Sequence, residues 1–291
     1  MKNLMSKVVV MLMAFTMTLA GCSGGSGSTA SATTSSTSES ETTTERKTYR
    51  VGMECAYAPN NWQESEATDT NLPIDNLEGF YAEGYDVQIA KKIGEYLDAD
   101  IVIVKMAFDG LIEALNQGQI DMIIAGMADT ETRKQSVAFS NTYNVKTTQY
   151  CLLVQKDGGY ADATSLEDFA GASVLGQKGT RYDEVIDQIE GVNHLPAVDS
   201  VANMLSRLEA GTADALVVDT GTAESYLSAY PQFSIVYFED GKGFEIGFQG
   251  ACVGMRLTDT DLVEQVNAAL ETIDTATRQE LLDTAKANMP K

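Results

Sequence analysis

The chain has 291 residues, enough for two ordinary domains, with 44% apolar residues, one histidine, four cysteines and a formal net charge of −22. So acidic a balance excludes nucleic acid and anionic lipid headgroups as electrostatic partners, and it deepens by two units if Lys2 and Lys7 leave with a leader. The single His194 excludes a histidine triad or a multi-histidine metal site, and its turn-like setting, Gly191-Val192-Asn193-His194, predicts a surface residue.

The leader comes first. Lys2 and Lys7 give a positive start, and Val8 to Leu19 form an apolar core too short for a stable membrane span, so residues 1–21 have the parts of a secretory signal. The run Leu19-Ala20-Gly21-Cys22 resembles the bacterial lipoprotein signal, in which the cysteine receives a diacylglyceryl group and becomes the first residue of the mature chain. That resemblance implies a protein outside the cytoplasm, held to the membrane at Cys22 by fatty acyl chains such as palmitate. The alternative is an ordinary signal peptide that leaves Cys22 as a free thiol. Residues 22–46 are rich in Gly, Ser, Thr and Glu and lack apolar periodicity, the composition of a flexible tether reaching about 25 to 30 Å. Gly21-Cys22-Ser23-Gly24-Gly25 fits the hydrolase G-x-S-x-G elbow in letters only, because that motif needs a strand before it and a helix after it.

From about Thr48 onward, short β-branched runs alternate with helical periods, the pattern of an α/β protein with largely parallel sheets. Tyr49 to Met53 predicts a strand, Asp86 to Leu97 a helix with Ile89, Ala90, Ile93 and Leu97 on one face, and Ile101 to Val104 a strand. Asp109 is placed to cap a helix carrying Leu111, Ile112 and Leu115, closed by Gly118, before a strand over Met122 to Ala125 and a helix from Thr130. A second series follows: a strand over Tyr150 to Val154, a capping box at Ser165-Leu166-Glu167-Asp168, a strand over Ser173 to Leu175, a helix over Tyr182 to Ile189, and a strand over Ala215 to Val218. Two such series predict two lobes. Beyond Cys22, the odd set Cys55, Cys151 and Cys252 has no C-x-x-C spacing and argues against a zinc site or a disulfide framework. Cys151 and Cys252 sit in apolar runs, either as buried thiols or as a cross-strand disulfide.

Five segments in order carry a family resemblance. They are Gly84-Tyr85-Asp86-Val87, Phe108 to Leu115, Gly118 to Met127 with Arg133 six residues before Phe139-Ser140, Gln177-Lys178-Gly179-Thr180, and Gly211 to Asp219. Together they resemble the type II periplasmic binding proteins of polar amino-acid ABC transporters, the bacterial extracellular solute-binding proteins of family 3, here in lipoprotein form. The resemblance implies a two-lobed Venus-flytrap in which residues 47–143 and 249–291 form one lobe and 144–248 the other. The hinge crossings would fall near 143–147 and 245–249. It also implies a monomer without cofactor that captures a polar amino acid, basic ones included, and presents it to a permease.

An α-amino acid holds a carboxylate and an ammonium on one carbon, so its receptor needs a planar cation and an anion across a cleft. Arg133 and Asp219 resemble that pair, Arg133 helped by N–H groups of Ala128 and Thr180, Asp219 by the carbonyl of Gly126. Taken without the family pattern, Arg133 is a surface charge and Asp219 a helix cap. Tyr57 and Phe108 match rings that sandwich the ligand side chain, though core packing also accounts for Phe108. Glu54 matches an acidic reader of the ligand's far end, and Gln177 lies on a ligand loop. Trp62 either lines the pocket mouth or fills a surface gap.

Three positions depart from the pattern. Ala128 stands where many relatives carry a hydroxyl, Arg181 follows Thr180 where its charge could offset Glu54, and Asn60-Asn61 replaces an apolar pair. Two other classes remain open. One is an enzyme on this fold, such as a cyclohexadienyl dehydratase, with Glu54 as general acid; the other is a ligand-sensing module for a partner receptor.

Overall fold

The computed structural model describes residues 46–144, 149–246 and 250–290. The leader, Cys22 and nearly all of the tether lie outside the described residues, as do the central parts of both expected hinge crossings.

Strand Thr48–Met53 alternates the apolar Tyr49, Val51 and Met53 with Thr48, Arg50 and Gly52, and its Val51 and Met53 are fully buried. It pairs in parallel with Asp100–Lys105 on one side and Met122–Ile123 on the other. Cys252–Met255 then joins antiparallel, followed by Ala138–Thr142, so five strands form one sheet. Helix Tyr85–Leu97 lays Val87, Ile89, Ala90 and Ile93 into this core, starting one residue before the sequence pattern suggested. It packs against the late helices Thr260–Glu271 and Thr275–Asn288. The two ends of the ordered chain therefore build one lobe.

The other lobe is a second five-stranded sheet, ordered Asn193–His194, Ser173–Leu175, Ala215–Asp219, Tyr150–Gln155, Phe233–Val236. Its first three strands are parallel and the last two join antiparallel. Both large sheets are thus mixed rather than largely parallel. In each, an antiparallel strand adjoins the parallel set because the chain returns from the other lobe instead of through a crossover helix. The chain passes between the sheets twice, between Thr142 and Tyr150 and between Val236 and Cys252.

Local departures from the sequence reading have local causes. Asp109 is not an N-cap: it sits inside a 3-10 turn, Phe108–Gly110, that feeds helix Leu111–Asn116, and its carboxylate pairs with Lys178 at 2.8 Å. The predicted strand over Met122 to Ala125 keeps ladder pairing only at Met122–Ile123, because Gly126 turns the chain with φ +64°. The expected helix over Tyr182 to Ile189 splits into Arg181–Glu184 and a 3-10 turn, Ile186–Gln188, at the β-branched pair Val185-Ile186. The capping box at Ser165 opens a 3-10 turn, Leu166–Phe169, with the Asp168 carboxylate accepting from Ser165 N at 3.0 Å. Cys55, Cys151 and Cys252 are buried free thiols, so the disulfide alternative is excluded. Among the described residues no helix is long and apolar enough to cross a membrane.

Candidate functional site

A cavity of about 330 Å³ is lined from both sheets, beyond the carboxyl ends of their strands, where ligands of open α/β sheets bind. Glu54 follows strand Thr48–Met53, Phe108 follows Asp100–Lys105, and Gly126 and Ala128 follow Met122–Ile123. Arg133 comes from the short helix Glu131–Lys134, whose cap, Thr130 Oγ, accepts from Arg133 N at 3.3 Å. From the second sheet, Gln177 and Thr180 follow Ser173–Leu175, and Asp219 ends Ala215–Asp219. Tyr57 enters from a small antiparallel sheet formed by Ala56–Tyr57, Asn61–Glu64, Leu72–Pro73 and Tyr81–Glu83. All nine residues named from the sequence thus face one cavity.

The Arg133 guanidinium donates to Ala128 O at 2.9 Å and to Gly179 O at 3.1 Å, and it lies 5.4 Å from the centre of the Phe108 ring. Its bond to Gly179 spans the two sheets. Burial holds its pKa below the ordinary value, opposed by the charge of Glu184. An arginine has five N–H donors, so three remain beyond those two bonds.

Asp219 faces it from the other sheet. Its Oδ1 caps the following helix by accepting from Thr222 N at 2.9 Å, while Oδ2 accepts from the hydroxyls of Tyr57 and Tyr182, each at 2.8 Å. Burial, then the Asp219 charge, pushes both phenols well above their usual range. They stay protonated donors.

Glu54 is 5% exposed, and its carboxylate accepts from Gln177 Nε2 at 2.5 Å, a bond between the two sheets. Burial pushes its pKa up to about 7, against the pull of the Gln177 bond and with a further push from Asp86. Asp86 is fully buried and also raised to about 7 by burial, although Asn61 Nδ2 and the Tyr143 hydroxyl each donate to it at 2.8 Å. The Tyr143 oxygen in turn accepts from Gly126 N at 2.9 Å, so this buried acid fixes the cavity wall at Gly126. Asn61, of the Asn60-Asn61 departure, therefore serves the scaffold through Asp86 and through Cys55 N, which donates to its Oδ1 at 2.8 Å.

Some expectations change. Arg181 does not pair with Glu54; its charge acts on Arg133 and Tyr150. The Thr180 N–H donates to Gln177 O at 3.2 Å and is engaged within its own turn. Trp62 is buried away from the cavity, its Nε1–H donating to Glu64 at 2.6 Å. His194 is only partly exposed, held between Asp183 at 2.9 Å and Asp187 at 2.8 Å. Sequence reading missed Tyr150 and Tyr182, which meet edge to face with ring centres 5.1 Å apart, and Lys286 of the last helix. Tyr150 stands directly opposite Asp219 in the ladder, a pairing that the strand periodicity does not specify. Lys286 carries no signal either, because its place depends on how the terminal helix packs.

The chain is similar to known proteins over most of its length. The arginine-binding extracellular protein ArtP of Bacillus subtilis (strain 168) is 26% identical over 204 residues, covering 69% of this chain and 76% of the relative. A probable histidine-binding protein of Campylobacter jejuni is 28% identical over 226 residues, covering 77% of this chain and 78% of the relative. Among solved structures, holo ArgBP from T. maritima matches with a TM-score of 0.65 and 31% identity over 77% of this chain and 89% of that one. An ancestral arginine-binding protein bound to glutamine matches with a TM-score of 0.68 and 28% identity over 82% and 98%. The model of the bacterial extracellular solute-binding proteins, family 3, matches residues 49–284, nearly the whole ordered chain with both sheets and every cavity residue named above except Lys286, and the chain belongs to that family.

Proposed function

We propose that this protein captures a polar amino acid, basic ones included, outside the cytoplasm and delivers it to an ABC transporter permease. The observation that carries the reading is the placement of Arg133 and Asp219 on the same cavity from different sheets. Arg133 holds the ligand carboxylate, with Ala128 N–H and without the Thr180 N–H, which is already bonded. Asp219 takes the ammonium together with Gly126 O. To reach it, the ammonium must share Oδ2 with the two phenols or displace them. Tyr57 and Phe108 flank the side chain, and Glu54 with Gln177 reads its far end.

Residues 47–143 with 249–291, and residues 144–248, move as two lobes about the paired crossings, and closure presents the filled form to the permease. The protein works as a monomer, tethered through a lipid on Cys22. Cys22→Ala should release it from membranes or leave it as precursor, read by detergent partitioning after expression in a lipoprotein-competent bacterium; equal retention of both forms rejects the anchor.

The test of capture is a thermal-shift screen of the full chain against the twenty L-amino acids and L-cystine. A ligand at 100 times its dissociation constant adds about 2.7 kcal/mol. No shift with any of them rejects the reading.

One observation favours a second reading, an enzyme: Glu54 is a cavity acid held at about 7, where a general acid operates. Turnover of a cyclohexadienyl acid, lost in Glu54→Gln, would establish it.

A further inference from the structure

Arg181 lines the cavity directly after Thr180, between a residue of the predicted ligand loop and Tyr182, which donates to Asp219. Its Nε is buried without a hydrogen-bond acceptor, and among the described residues its side chain forms no hydrogen bond or ion pair. Arg133, the other guanidinium on the cavity, has two carbonyl partners and Phe108 beneath it. A buried donor without an acceptor is unfavourable and rare in folded proteins. A donor on a cavity wall is relieved when an acceptor arrives from outside the chain. Both guanidinium charges act on Tyr150, which stands opposite Asp219 in the ladder, so the two cations converge on the same part of the cavity as the Asp219 network. They also repel each other, and an anion between them relieves both.

We propose that Arg181 is a second arm of the carboxylate clamp, donating from the second sheet to the same ligand carboxylate that Arg133 holds from the first. The inference rests on the amino-acid reading above. Its consequence is chemical: the site demands a free α-carboxylate more strictly than a one-arginine clamp does, and it discriminates against amides and esters of the same amino acid. It also removes Arg181 from the task of offsetting Glu54, so the far end of the cavity keeps its acidic or protonated carboxyl regardless of Arg181.

The test uses the full chain. The amino acid giving the largest thermal shift among the twenty and L-cystine is titrated calorimetrically together with its α-carboxamide, into wild type, Arg181→Gln and Arg181→Lys. Loss of a charge-assisted bond predicts that Arg181→Gln weakens the free acid about 10- to 100-fold and the amide less than about threefold, with Arg181→Lys between. Equal losses for acid and amide would mark Arg181 as merely structural and overturn the proposal, as would an acid affinity within threefold of wild type. The acid-to-amide ratio remains readable if a variant is less stable. If wild type binds none of the amino acids, the capture reading falls and this inference falls with it; if wild type binds and Arg181→Gln binds equally well, only the inference falls.

Discussion

The two ends of the cavity handle charge in opposite ways. At the Arg133 end a guanidinium that cannot shed its proton rests on two backbone carbonyls and an aromatic ring. At the Glu54 end a carboxyl is so deeply buried that its pKa rises to about 7, and it can discard its charge by taking a proton. The permanent charge suits a group common to every ligand of a class, and the adjustable charge suits a group that varies. On the proposed reading, one end would fix the ligand class while the other would tune its identity.

The sharpest way to break that contrast is to remove the permanent charge. Arg133→Ala should lower amino-acid affinity by about 3 to 5 kcal/mol, because the ligand carboxylate is then buried without its cation. Arg133→Lys should recover only part, since an ammonium cannot reproduce parallel guanidinium bonds. Asp219→Asn should act similarly from the other sheet with the fold retained, because an asparagine oxygen can keep the cap that Oδ1 gives helix Thr220–Tyr226. Calorimetric titration, with the unliganded melting temperature within a few degrees of wild type, checks both. Wild-type affinity in either variant would place the ligand elsewhere.

The adjustable charge gives the second test. Glu54 and Asp86 have folded pKa values raised to about 7, above their ordinary 4.5 and 3.8, so in between the folded state holds protons that the unfolded state has lost. Their contribution is fully present below about pH 4 and is lost as pH rises through about 7. His194 acts in the same sense. Its burial lowers the pKa, but the bonds from Asp183 and Asp187 outweigh that and raise it overall, so its contribution is present below the ordinary histidine value and is lost as pH rises through the raised folded one. Melting temperature at saturating salt should therefore fall from mildly acidic to neutral pH. Glu54→Gln should flatten the slope, by on the order of 3 kcal/mol over the window, and an unchanged slope would show that Glu54 is not held neutral by burial.

How much of this was legible in the sequence depended on the range of the interaction. Strand Thr48–Met53 and helix Tyr85–Leu97 were readable because their apolar periods are local. The nine cavity residues were readable only as a family pattern, since nothing local distinguishes Arg133 from a surface arginine or Asp219 from a cap. Indeed Asp219 is a cap as well, through Oδ1, so the two readings were never exclusive. The Tyr57 and Tyr182 bonds to Asp219 join residues more than 30 positions apart and could not be inferred from spacing. The antiparallel pairing of Cys252–Met255 and Tyr150–Gln155 was equally hidden, because periodicity predicts a strand but not its partner.

A smaller effect separates identity from class. If Glu54 reads the side chain, Glu54→Gln should weaken binding of L-arginine more than of L-glutamine, by about 1 to 3 kcal/mol, because only the first loses an ionic partner. The measurement belongs at pH 8, where Glu54 is mostly ionised in wild type. Equal losses would move the side-chain reader to Gln177, whose amide bridges Glu54 and Asp199 O.

The smallest expected effect lies at the rim, outside both ends of the cavity. Lys178 Nζ and Asp109 Oδ2 pair at 2.8 Å across the two sheets, beside Gly179, whose carbonyl accepts from Arg133. A side chain at Gly179 would bring its Cβ within 2.9 Å of Asp109 Cβ, so the lobes are in close contact there. Neither residue lines the cavity, so on the proposed reading a ligand would gain from the pair only through lobe closure. With the lysine side chain 58% exposed, solvent and salt screen the attraction, so the pair contributes little. Lys178→Met should accordingly weaken every amino-acid ligand by the same modest factor, up to about fivefold at low salt and almost none at 0.5 M, without changing the order of preference. A change in that order would mean that Lys178 reaches the ligand itself, and the division of labour between the two ends of the cavity would have to include the rim.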